Sequence, residues 1–169
     1  MKLNTSRFGE ISVDEKAIIT FPDGIPGFEH TREYVLVPHK TAQGQSSPFR
    51  WLQSLEEPNL ALPVINPWSV QPDYAPTIPG TMIKMLGIGD LREQAQFLTV
   101  VTIPANNPNG ITVNLLAPIL VNRDTKIGKQ VIVQNENYSI RTPLLNGMTP
   151  EANAVRTGRA PAVLAASAA

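Results

Sequence analysis

The sequence predicts an all-β fold: one small antiparallel, barrel-like domain with a few short helices and a flexible C-terminal tail. Three observations lead there. At 169 residues the chain has the size of one domain, able to bury a sizeable core without staples. Its 16 prolines and 11 glycines cut the apolar segments into pieces of four to eight residues, which disfavours long helices. Those pieces are rich in β-branched and aromatic side chains, which suit a pleated surface.

In chain order the predicted strands are 17–21, 33–37, 49–53, 60–65, 96–103, 111–115, 119–121 and 130–134. Many short strands punctuated by turns are the pattern of a sandwich or barrel. Alternation is cleanest in 111–115, where Ile111, Val113 and Leu115 share one face and Thr112 and Asn114 the other, so this strand is half buried. Segment 96–103 is apolar on both faces, with Phe97 and Val101 on one and Leu98 and Val100 on the other, so it is a central strand. Asn107-Pro108-Asn109-Gly110 joins these two as a hairpin and supplies a residue suited to positive φ. Asp124–Gly128 turns 119–121 back into 130–134.

Between the first two strands, Phe21-Pro22-Asp23-Gly24-Ile25-Pro26-Gly27-Phe28 specifies a rigid loop. As a structural corner it places Phe21 and Phe28 in the core, Pro26 at the first central position of a turn and Gly27 at the second with positive φ. As a functional element it offers Phe28 to a partner as a rigid aromatic anchor.

Helical signal is local. Thr81–Leu86 reads as one short helix, with Thr81 as N-cap, Gly87 or Gly89 as the stop, and its four apolar side chains plugging one end of the barrel. Glu56-Glu57-Pro58 reads as a single turn. After Pro143 the character changes: residues 144–169 hold eight alanines, two prolines and no aromatic residue. They are expected to form a disordered or loosely attached tail beyond a binding domain spanning 1–143.

Composition narrows the function. The chain lacks cysteine, which excludes disulfides, thiolate metal sites and a cysteine nucleophile. The N-terminal residues lack the apolar segment of a secretory signal and no window reaches membrane-span length, so the expected location is cytoplasmic, away from membranes. Fourteen basic residues balance fourteen acidic ones, without the excess expected of a nucleic-acid binder. Residues 1–93 carry net −3 and residues 94–169 net +3. This asymmetry reads either as ordinary surface scatter or as an acidic face in the first half.

No catalytic or cofactor constellation emerges. His30 and His39 lie in stretches that read as loops, metal-ligand spacing is missing, and neither a nucleophile elbow nor a dinucleotide fingerprint occurs. Glu56 and Glu57 are sequence neighbours whose side chains diverge, a poor acid/base pair. The expectation is a protein that holds other proteins, needs no cofactor and catalyses nothing. An RNA-binding β-barrel acting directly on messages is the alternative, supported by Arg123, Lys126, Lys129 and Arg141, but residues 119–169 offer only Tyr138 for base stacking.

Several segments, in order, carry a resemblance: Phe21–Phe28, then Pro48-Phe49-Arg50-Trp51-Leu52-Gln53-Ser54, then 60–68 ending in Asn66-Pro67-Trp68, then Asn114-Leu115-Leu116-Ala117-Pro118-Ile119-Leu120-Val121-Asn122, then Gly128–Ile132, and Thr142-Pro143-Leu144. The ordered set resembles the FliW family of flagellar assembly factors over residues 1 to about 144. The resemblance implies a small bacterial β-barrel-like protein, monomeric when free, with two protein partners: flagellin and the translational regulator CsrA. In that mode the free protein restrains CsrA and so relieves repression of flagellin synthesis, while unsecreted flagellin competes for it.

The candidate protein-binding residues are Phe28, Glu56, Glu57, Asn66, Trp68, Asp73, Asp90 and Glu93. The acids among them fall in expected loops or helix ends, where they could face a basic, RNA-binding regulator, leaving flagellin to be held through apolar contacts.

Overall fold

A strand apolar on both sides needs cover on both sides, and Ala95–Thr102 obtains it at the middle of the molecule. The computed structural model describes residues 1–144; the Ala-rich tail expected from the sequence lies, beyond Leu144, outside the described residues. The strands are β1 Lys2–Thr5, β2 Gly9–Ser12, β3 Ile19–Thr20, β4 Glu33–Lys40, β5 Ser46–Ser54, β6 Ala61–Ile65, β7 Ala95–Thr102, β8 Thr112–Val113, β9 Ile119–Asn122, β10 Gly128–Gln130 and β11 Thr142–Pro143. Three short helices, α1 Pro67–Val70, α2 Gly80–Met85 and α3 Leu91–Gln94, fill the long connection from β6 to β7.

The main sheet runs β10-β9-β7-β6-β5-β4-β3, antiparallel throughout, with β8 also on β7 and β11 on β8. Along one edge β7 first pairs β9, from Ala95↔Asn122 to Leu98↔Ile119, and then hands over to β8 at Val101↔Val113. Its other edge meets β6 at Val64↔Val100 and Ile65↔Thr99. The two faces of β7 enter different cores. Phe97 and Val101 pack with Phe49, Trp68, Tyr74 and Val113, whereas Leu98 packs with Phe21, Tyr34, Leu52 and Ile119.

The sheet curls until its ends nearly meet. A single parallel bridge joins Thr20 to Ile127, with Thr20 N donating to Lys126 O at 2.8 Å. There is no full ladder at the seam, so the architecture is barrel-like and not a closed barrel. A third small core lies outside, where the β1-β2 hairpin lays Leu3 and Val13 against Val35.

Most expected strands stand, with shifts that have physical causes. The N-terminal hairpin was unremarkable in sequence because its four-residue strands carry few apolar side chains, and Gly9 at φ 67 makes its turn. Ala17 belongs to a 3-10 turn capped by Asp14, so the following strand starts at Ile19. Of 111–115 only Thr112–Val113 keeps ladder pairing, and the strand expected at 130–134 is displaced to Gly128–Gln130, yet Ile111, Val113 and Leu115 are all buried on one face as alternation requires. His39 lies in β4 and not in a loop, at an irregularity between Pro38 and Lys40.

Both predicted turns join the strands expected of them, β7 to β8 and β9 to β10, and differ only in local conformation. Pro108–Gly110 forms a 3-10 turn without positive φ, in which Gly110 N donates to Asn107 O at 2.9 Å. In the β9–β10 turn it is Lys126 that adopts φ 60. The helix expected from Thr81 starts at Gly80 with Pro79 in the cap position and no side-chain cap, because proline already sets φ and Thr81 sits within the first turn. Its plug is partial: Leu86 is buried and Met82 and Ile83 pack on the core, but Met85 is 61% exposed. Gly87 at φ 66 ends it as expected. Leu144 donates its N–H to Ile111 O at 3.1 Å and packs on the larger core.

Candidate protein-binding surface

The rigid loop after β3 is built as its composition demands. Phe21 is fully buried, edge-on to Tyr34 at 5.4 Å between centroids. Phe28 N donates to Ile25 O at 2.7 Å around Pro26 and Gly27, and Gly27 has φ 92, so the turn needs glycine there. Gly24, at φ 71, is held more tightly, since a Cβ would stand 2.6 Å from Glu29 Cα. Phe28 is only partly buried and is not the core plug that Phe21 is. With Ile25, Pro26, Leu62, Val100 and Ile140 it lines an open groove of about 270 Å³, with Arg141 at its rim.

Beside this loop lies an acidic corner. Glu56 accepts from Arg32 N at 2.7 Å and Glu33 N at 2.8 Å, so its carboxylate caps the entry to β4. Those donors, Arg32 N first, hold its carboxyl below the ordinary glutamate range. Glu57 Oε1 meets His30 Nε2 at 2.5 Å, and Glu33 and Glu29 are exposed nearby in sequence. Earlier in the same loop, Asp23 is held below the usual carboxylate range by its hydrogen bond from Lys129 Nζ.

The remaining candidate acids do not join this corner. Asp90 caps α3 by accepting from Arg92 N at 2.9 Å, Glu93 lies exposed in the same turn, and Asp73 sits exposed just before Tyr74. The expected acidic face therefore divides into a Glu56–Glu57 group and an Asp90–Glu93 group, with Asp73 in neither.

Of Asn66 and Trp68, expected among the binding residues, Trp68 is buried in the larger core, whereas Asn66 is half-buried and also lines a cleft between β5 and α3. The Asn66 side chain accepts from Trp68 N and caps α1, with Pro67 at the first helical position. Trp68 is 3% exposed, donates Nε1–H to Tyr74 O at 2.8 Å, and meets Tyr74 and Phe97 edge-on. Tyr74 in turn donates to Leu115 O at 2.7 Å, and its phenol pKa is pushed up by burial. Tyr138 accepts from Ala75 N and packs on the Tyr74 ring. An aromatic with a polar tip is buried here only because each tip finds a partner.

A second cleft, of about 300 Å³, opens between β5, α3 and the β9–β10 turn. Arg50, Arg92 and Arg123 line it together with Asn66 and Gln96. Sequence reasoning did not assemble this group. Its one local signal was a charged residue set between aromatics in Phe49-Arg50-Trp51; the convergence itself depends on strand pairing. Among the described residues no group of three or more metal-ligating side chains gathers, and no helix is long and apolar enough to cross a membrane.

A curled antiparallel sheet with a rigid aromatic loop and an open groove beside it makes this a small all-β scaffold. A family model described as FliW protein matches residues 2–144. The chain is 44% identical to a flagellar assembly factor FliW from Thermosipho africanus over 144 residues, which span 85% of this chain and 95% of that one. It is 37% identical to a flagellar assembly factor FliW from Leptospira interrogans, across 89% and 97% of the two chains. A crystal structure of the flagellar assembly factor FliW superposes with a TM-score of 0.74 at 34% identity, covering 86% of this chain and 97% of the other. The chain belongs to the FliW family of flagellar assembly factors.

Proposed function

We propose that the chain is a non-enzymatic, cytoplasmic flagellar assembly factor that binds flagellin and the translational regulator CsrA, and so relieves repression of flagellin synthesis. The observation that carries this reading is the family match over all described residues but the first. The fold supports it. The groove beside Phe28 supplies a partly apolar surface for an amphipathic segment, and the corner of Glu29, Glu33, Glu56 and Glu57 supplies negative charge for a basic protein surface.

The geometry favours this over direct RNA binding. Lys129 is paired with Asp23, Arg123 lines one cleft and Arg141 another, so the basic residues do not form one stripe. Tyr138, the aromatic that could have stacked a base, spends its hydroxyl on Ala75 N and its ring on Tyr74.

The test is to mix the purified full chain separately with flagellin, with CsrA and with a flagellin leader RNA. Saturable binding to the two proteins, with competition between them, is expected. Tight RNA binding that weakens steeply with salt, without an effect of either protein, would overturn the proposal.

A further inference from the structure

Guanidinium groups repel one another and resist leaving water, so three of them in one cleft call for a counter-charge. Arg50 stands half-buried on β5, Arg92 comes from α3, and Arg123 follows β9. Arg123 is anchored by donating Nε–H to Ala95 O at 3.3 Å, which leaves its terminal nitrogens free to turn outward. Among the described residues, no carboxylate lines the cleft or ion-pairs with any of the three. Burial first, and Arg123 second, lower the Arg50 pKa.

We infer that this cleft is a binding site for a carboxylate carried on a peptide segment of a partner protein. Arginine forks match a planar carboxylate with two parallel hydrogen bonds, and Asn66 and Gln96 add polar partners beside them. The apolar lining from Leu91 and Phe97 suits the hydrocarbon stem that brings the carboxylate in. Nucleic acid fits less well. Asp90, Glu93 and Asp124, exposed sequence neighbours of Arg92 and Arg123, add negative charge that disfavours an extended polyphosphate more than a single carboxylate. Trp68 and Phe97, the aromatics of the cleft, are buried and packed edge-to-face, with no ring face open to a base. The inference does not depend on flagellin or CsrA being a partner.

The experiment follows the side-chain Nε–Hε resonances of Arg50 and Arg123 by NMR in the full-length protein. The probes are an acetylated, amidated peptide with one glutamate between leucines, its glutamine analogue, a non-acidic peptide with a free C-terminal carboxylate, inorganic phosphate, and a short RNA. The glutamate peptide is expected to shift both resonances saturably and the glutamine analogue to leave them in place. The free-terminus peptide tells whether a chain end serves equally. Arg50→Leu is expected to weaken the peptide at least tenfold and to melt no lower than the parent, because it removes a desolvated charge beside a like charge. Should Arg50→Leu fail to fold, Arg92→Gln on the exposed rim must still weaken the peptide several-fold. No shift with either carboxylate peptide, stronger binding of phosphate or RNA, or unchanged binding in Arg92→Gln would overturn the assignment.

Discussion

Gly128 lies against the ring of Phe21, so closely that a Cβ on Gly128 would stand 2.7 Å from Phe21 Cε1 and 3.2 Å from Ile19 Cγ2. This contact is where the first strand of the main sheet meets the last. With a single bridge at the seam, side-chain packing must hold the curl together. Gly128→Ala is therefore expected to overpack the seam at a cost of about 1–3 kcal/mol, lowering the thermal midpoint by roughly 3–10 °C. Phe21→Leu in the same chain should recover part of that loss. Strict additivity of the two changes in thermal unfolding would show that the contact does not limit closure.

Tyr74→Phe removes the hydroxyl that satisfies Leu115 O while leaving the ring between Trp68 and Tyr138. The carbonyl is then buried without its donor, so a loss of about 1–3 kcal/mol is expected in denaturant unfolding. An unchanged transition midpoint would mean that another donor reaches Leu115.

Gly24 and Gly27 both have positive φ, but only Gly24 faces backbone that cannot move aside. Alanine at Gly27 should cost about 1–2 kcal/mol for the left-handed backbone alone. Alanine at Gly24 should cost clearly more. If Gly27→Ala melts like the parent yet loses one protein partner, the loop acts as an interface and not only as a corner.

The Glu56 carboxyl has a folded pKa below its ordinary 4.5, so its hydrogen bonds stabilise the fold above that pH and are lost as pH falls through the folded value. Both N–H groups donate to the same carboxylate oxygen, so the amide oxygen of Glu56→Gln can still accept both, but more weakly than a carboxylate, and it cannot titrate. Its midpoint should lie below the parent at pH 7, and the gap should close below about pH 4.5. A gap that stays constant from pH 7 to pH 3 would remove Glu56 from the acid response.

Because Glu56 is committed to the backbone, it is a poor choice for testing charge. Glu33 is exposed, and Glu57, though half-buried, sets its carboxylate against the exposed His30 ring and not the backbone, so these two serve better. Glu33→Lys with Glu57→Lys is expected to slow CsrA association and flatten its salt dependence, while flagellin binding changes little. Each exposed pair contributes only about 0.2–1 kcal/mol, so the effect belongs mainly to the association rate. Stopped-flow association at low and high salt measures it, and equal loss of both partners would count against an acidic docking face.

Much of this protein follows from short-range chemistry that a sequence displays. Pro26-Gly27 dictates its turn because proline sets one φ and only glycine takes the next without strain. The alternation of Ile111, Val113 and Leu115 dictates a buried face because side chains in a strand repeat every second residue. The ordered motifs through Leu144 carried the family. The tertiary structure alone decided which charged and aromatic side chains reach the surface and which are buried. Trp68 was read among the binding residues, but its indole N–H finds Tyr74 O and its faces find Tyr74 and Phe97, so packing takes it inward. Five candidate acids formed one set in sequence, and strand order separated them. Arg50, Arg92 and Arg123 were unrelated letters until β5, α3 and the β9–β10 turn met around one cleft. The reason is range: turn preference and alternation act over a few residues, whereas burial and charge clustering depend on which distant strands pair.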